Sequence, residues 1–286
     1  MDWGKSIGKL MGAIAVTGAI WIGTGSVQAW DDAKYPDWKG QWERIGGGAF
    51  DADKRPGLGQ QAPVNPEYMA IWRANLAEEA SGGQSYNPMA HCISTGMPRM
   101  MVVYQPMEII VTPQITYIPI AFLREQRRIY TDGRDWPQKI VPTLAGYSIG
   151  RWLDEDGDGR YDVLEVETRG MRGPRVFDGS GIPLHRDNAT IIKERFFLDR
   201  SNPNMLRDEI TVMDHALTRP WTVTRKYSRN RNPIWLEDVC PESNNYIFVG
   251  KDTYFISSDG YLMPTRKDQP PPNLKYFGRS AQQQQE

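Results

Sequence analysis

Residues 146–168 hold the pattern that most restricts the fold of this chain. Ile149 begins a short run that alternates between apolar and polar residues as far as Leu153, and residues 163–168 alternate in the same way. Both runs are typical of β-strands. The segment between them is rich in Asp and Gly, which favour turns, so the stretch predicts an antiparallel hairpin. The runs on either side predict further strands of the same sheet.

Most of the chain after Met100 continues this pattern. Strand-like runs separated by turn residues lie at 100–104, 108–112, 115–123, 127–131, 188–198, 206–213, 221–227 and 254–257. About nine or ten strands with short connections predict an all-β fold, either an antiparallel barrel or a sandwich. We expect one substantial helix before them, because Asn65 is suited to cap a helix that begins at Pro66 and apolar residues follow at helical spacing.

The composition is that of a globular chain with enough apolar residues for a core. The chain has 286 residues, 40% of them hydrophobic, and a net charge of -1, which gives no electrostatic reason to expect a nucleic-acid partner. Lys5 and Lys9, an apolar run over residues 10–22 and a small-residue site ending at Ala29 form the pattern of a secretory signal peptide. The run is too short for a membrane span. We therefore expect a periplasmic or secreted protein that is not membrane-embedded after signal cleavage.

These patterns divide the chain into four segments. We expect a signal peptide at residues 1–29, an aromatic-rich N-terminal extension with one helix at 30–99, a β-barrel domain at 100–265 and a loose C-terminal tail at 266–286. The cysteines of the chain are Cys92 and Cys240. In an exported protein they predict one disulfide, and the alternative is a pair of free buried thiols.

The turn within residues 146–168 also matches the spacing of a calcium-binding loop. Its pattern, D-x-D-x-D-G-x5-E, is filled by Asp154, Asp156, Asp158, Gly159, Arg160, Asp162 and Glu165. Calcium takes about six to eight oxygen ligands, which the carboxylates and the backbone carbonyl of Arg160 would supply. The usual flanking helices are missing, so a bare acidic turn is the alternative. A structural calcium ion is the one cofactor that we expect, and no organic cofactor is indicated.

Catalytic motifs are sparse. Ser148 lies in a G-x-S-x-G pattern, but no helix follows it, and this argues against a nucleophilic serine. His91, His185 and His215 are far apart in the sequence and form no metal pair at helical or strand spacing, which argues against a zinc site. His185 lies in a loop before a strand. It is either an acid or base over the barrel mouth or an ordinary loop histidine.

The run at residues 191–197 predicts a buried carboxylate. Alternation places Glu194 on one face with apolar neighbours, and an inward-facing Glu needs a cationic partner or a raised pKa. Arg128 and Arg219 are the candidate partners, and Trp221 is expected in the core or in a pocket wall. The alternative to a functional group is a structural ion pair.

Four strings of the chain resemble a widespread, mostly uncharacterised family of exported bacterial proteins. They are G-Y-S-I-G-R-W, R-R-I-Y-T-D-G-R, I-K-E-R-F and A-L-T-R-P-W-T-V, and many relatives read along the lines of G-H-S-V-G-R-W, V-x-E-R-Y and Y-T-R-P-W-T. The resemblance covers residues 92–245 and implies a lipocalin-like barrel, with no established activity. This chain departs from the family in its longer loop at residues 154–165 and in Ala121, where a carboxylate is common.

These observations lead to three hypotheses. The first is an exported lipocalin-like protein that binds a small hydrophobic or aromatic ligand in its barrel through Arg128, Glu194, Arg219 and Trp221. The second is a cofactor-independent isomerase, lyase or hydrolase acting on an aromatic or terpenoid compound through His185, Glu194 and Asp214. The third is a structural envelope protein whose calcium hairpin only stiffens it, and a filled barrel without a pocket would favour this hypothesis. Polar groups that converge in a pocket would favour the enzyme, and a purely apolar pocket would favour the carrier.

Overall fold

The computed structural model describes residues 31–47, 60–81, 89, 92–173, 175–236, 238–240, 245–249 and 252–272. The expected signal peptide at residues 1–29, His91 and most of the expected C-terminal tail lie outside these residues. Among the described residues, none of the helices has the length and apolar character that a membrane span requires.

The described chain is mostly β-structure, as expected, with one α-helix, α1 (Pro66–Ala80). Its strands are β1 (Gln41–Ile45), β2 (Met107–Glu108), β3 (Ile110–Val111), β4 (Ile115–Ile120), β5 (Glu125–Tyr130), β6 (Tyr147–Leu153), β7 (Val163–Arg169), β8 (Arg175–Val176), β9 (Pro183–Leu184), β10 (Ile191–Asp199), β11 (Asn202–Met213), β12 (Trp221–Asn230), β13 (Tyr246–Val249), β14 (Asp252–Ile256) and β15 (Leu262–Pro264). Short 3-10 helices lie at Asp32–Lys34, Arg99–Met101 and Phe122–Arg124.

The largest sheet closes into a barrel of nine strands. The strand order of the whole sheet is β2-β1-β12-β11-β10-β7-β6-β5-β4-β3. The additional pairing of β2 with β4, at Met107 and Ile120, closes the first nine of these strands into a ring. β3 pairs with β4 in the same register as β2 does, with Ile110 opposite Tyr117. β2 and β3 therefore lie one after the other along the same side of β4. β1 joins this ring although it lies in the segment expected as an extension. β13, β14 and β15 form a separate sheet.

One seam of the barrel corrects the expectation of a purely antiparallel sheet. β5 and β6 run parallel, and their register joins Ile129 to Ser148 and Tyr130 to Ile149. Parallel neighbours need a crossover connection, which residues 131–146 provide. Gly150 allows close packing at this seam, because a Cβ at that position would lie 2.6 Å from the Ile129 side chain. The other pairings around the ring are antiparallel, including the predicted hairpin of β6 and β7.

The prediction of a strand at residues 100–104 is wrong. Arg99–Met101 form a 3-10 helix, and all of its residues are buried. A continuous apolar run lacks the alternation that identifies a strand, so it fits any buried segment. Here the run lies beside β12, where the hydroxyl of Tyr227 donates a hydrogen bond to the carbonyl oxygen of Met101 at 2.5 Å.

The predicted helix is confirmed, together with its cap. The Asn65 side chain accepts a hydrogen bond from the Tyr68 amide at 2.9 Å and donates one to the carbonyl oxygen of His215 at 2.8 Å. The first bond satisfies a free amide of the first turn. The second joins α1 to the turn between β11 and β12. Tyr68 is the buried residue of the helix, so most of α1 faces outward. Trp72 attaches the helix to the turn between β8 and β9 by donating a hydrogen bond to the Ser180 carbonyl oxygen at 2.8 Å.

The predicted disulfide between Cys92 and Cys240 is confirmed. The two Cα atoms lie 5.5 Å apart, and 148 positions separate the cysteines in the chain. The bond links the segment before Arg99–Met101 to the segment after β12. Disulfides are typical of proteins from oxidising compartments, which agrees with export.

Candidate functional site

The barrel interior contains an ion pair that is closed to solvent. Arg127 on β5 and Glu194 on β10 have side chains that are 1% and 0% exposed. Nη1 of Arg127 donates to Oε1 of Glu194 at 2.8 Å, and Nη2 donates to Oε2 in a second, short bond. Nη2 also donates to Oγ1 of Thr168 at 2.9 Å. This hydroxyl is in turn hydrogen-bonded to Oγ of Ser148, at 2.8 Å. The inward position of Glu194 is confirmed, and its pairing is bidentate.

The expected partners of Glu194 are wrong. Arg128 is exposed and lies over the Tyr117 ring, with its guanidinium carbon 5.8 Å from the ring centre. Arg219 is exposed and donates to the Pro220 carbonyl oxygen at 3.5 Å. Side chains alternate along a strand, so Arg127 and its neighbour Arg128 face opposite sides of the sheet. The register of β5 decides which of them enters the barrel.

Trp221 is buried, as the sequence predicts. Its side chain is 4% exposed, and its ring lies 4.6 Å from the Phe177 ring, centre to centre. This contact joins the start of β12 to the segment between β8 and β9. Trp221 is therefore a core residue in the described structure.

A second buried carboxyl, Asp208, was missed in the sequence. It lies on β11 directly opposite Arg225 on β12, and both side chains are buried. Arg225 donates to the carbonyl oxygens of Gly47 and Thr224, whereas the carboxyl oxygens of Asp208 have no hydrogen-bond partner among the described residues. Burial and, to a lesser extent, the charge of Glu194 raise the pKa of Asp208 well above its usual value, against the opposing effect of the nearby arginines. The sequence signal for its burial is its position between Leu206 and Ile210, which face the same side of β11.

The proposed acid and base residues separate into two places. At the end of the barrel where β10 begins, Asp214 accepts hydrogen bonds from the His185 amide at 2.8 Å and the Thr190 hydroxyl at 2.5 Å. Glu194 is instead held by Arg127 inside the barrel. The trio His185, Asp214 and Glu194 is therefore not assembled around one cavity.

The same end of the barrel brings His185 and His215 together, although they are far apart in the sequence. Their ring centres lie 5.4 Å apart, and both rings face the carboxylate of Asp187. The separation in sequence was a poor guide, because β10 and β11 form a hairpin whose open end returns His215 to the residues before β10.

The acidic hairpin between β6 and β7 brings together part of the predicted calcium ligand set. Ligand oxygens of Asp154, Asp156 and Asp162 lie within 4.8 Å of one another. Asp158 instead accepts a hydrogen bond from the Arg160 amide at 2.8 Å. Glu165 lies on β7, where it pairs with Arg151 at 3.0 Å and with Arg195 at 3.7 Å. Asp158 and Glu165 therefore lie outside the cluster, and Glu165 is held by two arginines.

A groove of about 640 Å³ lies on the outer face of β6, β7, β10 and β11, beside Trp136. Its floor is a row of opposite charges, because Arg151, Glu165, Arg195 and Glu209 lie directly across from one another on consecutive strands. Cross-strand pairs of opposite charge stabilise a sheet modestly. Arg151 pairs with Glu165, and Arg195 pairs with Glu155 and Glu165, so both arginines of the row already have carboxylate partners.

A cleft of about 370 Å³ lies where β1 ends, next to the 3-10 helix Arg99–Met101. Apolar and aromatic residues form much of it, with two arginines and one aspartate: Met89, Val102, Val103, Tyr104, Phe122, Arg44, Arg99 and Asp178. The Arg44 guanidinium donates to the carbonyl oxygens of Val103 at 3.2 Å and Gly46 at 2.7 Å, so it is fixed at the cleft wall.

Comparison with protein-family models and with curated proteins finds no match to this chain. The class of protein is defined by its fold and its sites: a closed, mostly antiparallel β-barrel with an internal ion pair and an intramolecular disulfide.

We predict that the Arg127–Glu194 pair is a structural element. Glu194→Gln and Arg127→Met should each lower the free energy of unfolding by roughly 3–5 kcal/mol, because either change leaves a buried charge without its partner. The double replacement Arg127→Met with Glu194→Leu should cost less than either single change. Urea denaturation of the disulfide-bonded protein measures all three values.

Arg128→Met is the matched control for this series, since Arg128 is the exposed neighbour of Arg127. It should change the free energy of unfolding by less than about 0.5 kcal/mol. Equal effects of the changes at 127 and 128, or additive losses in the double variant, would contradict a buried, coupled pair.

We also predict that Asp208 destabilises the fold as the pH rises. A folded-state pKa above the unfolded value of about 3.9 favours folding below that pH, and this advantage is lost as the pH rises toward the folded pKa. Asp208→Asn should therefore raise stability, with a gain that grows by up to about 1.4 kcal/mol per pH unit across that window. Thermal unfolding between pH 4 and about pH 9 measures the gain.

Asp199→Asn provides a control of opposite sign. Hydrogen bonds from Ser201 and then Arg207 lower the pKa of Asp199 to about 2, so its contribution is present above the unfolded value and lost as the pH falls. This variant should be less stable than the parent at neutral pH, and the difference should disappear as the pH falls below about 2. If Asp208→Asn is instead destabilising at neutral pH, Asp208 is an ionised partner of Arg225.

Proposed function

We propose that this protein is an exported, lipocalin-like binding protein for a small amphipathic molecule with an apolar body and an anionic end. The closed barrel, the disulfide and the resemblance of residues 92–245 to exported lipocalin-like proteins support this class. The cleft beside Arg99–Met101 is the proposed ligand site. The molecule is a carrier or sensor in this proposal, with no reaction assigned to it.

The single observation that carries the proposal is the composition of the cleft. Small-molecule sites have volumes of about 300–1,000 Å³ and apolar walls with a few placed polar groups. The cleft has about 370 Å³, and Val102, Tyr104 and Phe122 contribute apolar and aromatic surface. Such a volume fits a ligand with one or two rings or a short alkyl chain.

The charges at the cleft favour an anionic end on the ligand. Arg44 and Arg99 contribute two guanidinium groups and Asp178 one carboxylate. The Asp178 carboxylate is oriented by hydrogen bonds from Ser180, at 3.0 Å from the amide and 2.6 Å from the hydroxyl. The charged groups named here sum to one positive charge. Arginine also presents several N–H donors that match the geometry of a carboxylate or sulfonate.

We prefer the cleft to the barrel interior as the ligand site, because large side chains occupy the interior. Trp42, Phe196 and Arg127 are fully buried there, and Glu194 is held by Arg127. Interiors packed in this way hold few voids larger than a water molecule. The enzyme hypothesis has less support for a different reason: Arg127 holds Glu194 inside the barrel, whereas His185 and Asp214 lie together at one end of it.

We predict that the cleft binds 1-anilinonaphthalene-8-sulfonate, an aromatic probe with an anionic group. Tyr104→Ala should weaken binding about five- to tenfold, because an aromatic contact is worth about 1–1.5 kcal/mol. Tyr104 is 71% exposed, so its removal should leave the fold intact. Fluorescence titration of the oxidised, full-length protein measures the dissociation constants.

Tyr261→Ala is the matched control, since Tyr261 is 70% exposed and lies in the turn before β15. It should leave probe binding unchanged. N-phenyl-1-naphthylamine, which has the same rings and no sulfonate, should bind more weakly and respond less to Arg44→Gln. Equal losses in both tyrosine variants, or equal affinity for the two probes, would refute the proposed site.

Calcium binding by the acidic hairpin stays a prediction, and the close approach of Asp154, Asp156 and Asp162 supports these three residues as its ligands. If the site is present, calcium at a hundredfold excess over its dissociation constant raises stability by about 2.7 kcal/mol. Asp156→Asn should abolish this gain. Asp158→Asn should keep it, because both carboxylates accept a backbone hydrogen bond but only Asp156 belongs to the cluster. A melting temperature that does not respond to calcium would leave a bare turn.

A further inference from the structure

Two histidines and one aspartate converge at the end of the barrel where β10 begins. His185 and Asp187 lie in the connection from β9 to β10, and His215 lies in the turn from β11 to β12. Their ligand atoms lie within 4.8 Å of one another. The cluster is separate from the cleft, the acidic hairpin and the Arg127–Glu194 pair.

The distances within the cluster are close to those around a bound metal ion. Oδ2 of Asp187 lies 2.6 Å from Nδ1 of His215 and 3.1 Å from Nδ1 of His185. Zinc holds nitrogen and oxygen ligands at about 2.0–2.2 Å, which places neighbouring ligands about 3.3 Å apart in a tetrahedral site. An ion would therefore need only small shifts of these side chains.

The two histidines share one oxygen of Asp187. Nδ1 of His185 lies 3.1 Å from Oδ2 and 3.2 Å from the Asp187 amide, and Nδ1 of His215 lies 2.6 Å from the same Oδ2 atom. An imidazole nitrogen without its proton has one lone pair, so a cation bound among these three atoms would take the place of the hydrogens that otherwise lie between them.

The ligands are held by a further set of hydrogen bonds. Asp187 accepts from the Ala189 amide at 3.0 Å through its other carboxyl oxygen, which leaves Oδ2 toward the histidines. The His185 backbone donates to Asp214 at 2.8 Å, and its ring lies 5.4 Å from the Tyr68 ring of α1. Such supporting contacts orient the residues that bind a metal.

We propose that His185, Asp187 and His215 form a binding site for a divalent transition-metal ion. Two imidazoles and one carboxylate suit zinc or ferrous iron, whereas calcium and magnesium prefer oxygen ligands alone. The His215 side chain is 69% exposed, so at least one coordination position is open to water or to an anionic ligand. A site with three protein ligands and an open position is typical of metals that act on a bound molecule.

The test is a titration of the chelator-treated, tag-free, full-length protein with zinc and with cobalt(II), whose visible absorption reports the ligand geometry. One ion should bind per chain, and His215→Gln should weaken binding by at least a hundredfold. His91→Gln and Asp156→Asn are the controls and should leave the affinity unchanged. Circular dichroism verifies the fold of each variant.

Three results would overturn the proposal. One is unchanged zinc affinity in His215→Gln, which would leave Asp187 as an ordinary hydrogen-bond partner of the two histidines. Another is an equal loss in His91→Gln or Asp156→Asn, which would place the ion elsewhere. Calcium competing as well as zinc would also contradict a site built on imidazole nitrogen.

Discussion

The guanidinium of Arg127 connects four consecutive strands of the barrel. It belongs to β5, bonds to Thr168 on β7 and Glu194 on β10, and lies near Ser148 on β6, whose hydroxyl is bonded to Thr168. β5 and β6 form the parallel seam, where the register includes two residue pairs, against seven between β6 and β7. The buried network therefore bridges the barrel at one of its short ladders. Charge-assisted hydrogen bonds there add side-chain links from β5 to β7 and β10.

This arrangement explains why the functional candidates lie outside the interior. A charge pair buried among apolar side chains is stable only with its partners in place, so a ligand entering the barrel would disturb it. The cleft at the end of β1 and the His185–Asp187–His215 cluster leave the pair untouched, and both are open to solvent. Both candidate sites are formed largely by residues of the connections and strand ends, not by the barrel interior.

Alternation and turn residues predict much of the fold. They place Glu194 inward, identify the hairpin of β6 and β7, and cap α1 at Asn65. They do not fix the register of β5, because Arg127 and Arg128 are neighbours of the same type and the parallel seam leaves no local signal. The cluster of His185 with His215 depends on which strands pair, and sequence separation hides it. The apolar residues two positions before and after Asp208 on β11 are the sequence signal for its inward position.

Direct observation of the Arg127 guanidinium by NMR tests the central claim. If its Nη hydrogens are locked between Glu194 and Thr168, they should give separate resonances in slow exchange with water, with rotation about the Cζ–Nη bonds suppressed. Arg128 should show averaged resonances in fast exchange, and Glu194→Gln should weaken the protection of Arg127. Averaged, rapidly exchanging Arg127 hydrogens in the parent protein would contradict a barrel held together at its parallel seam by a buried ion pair.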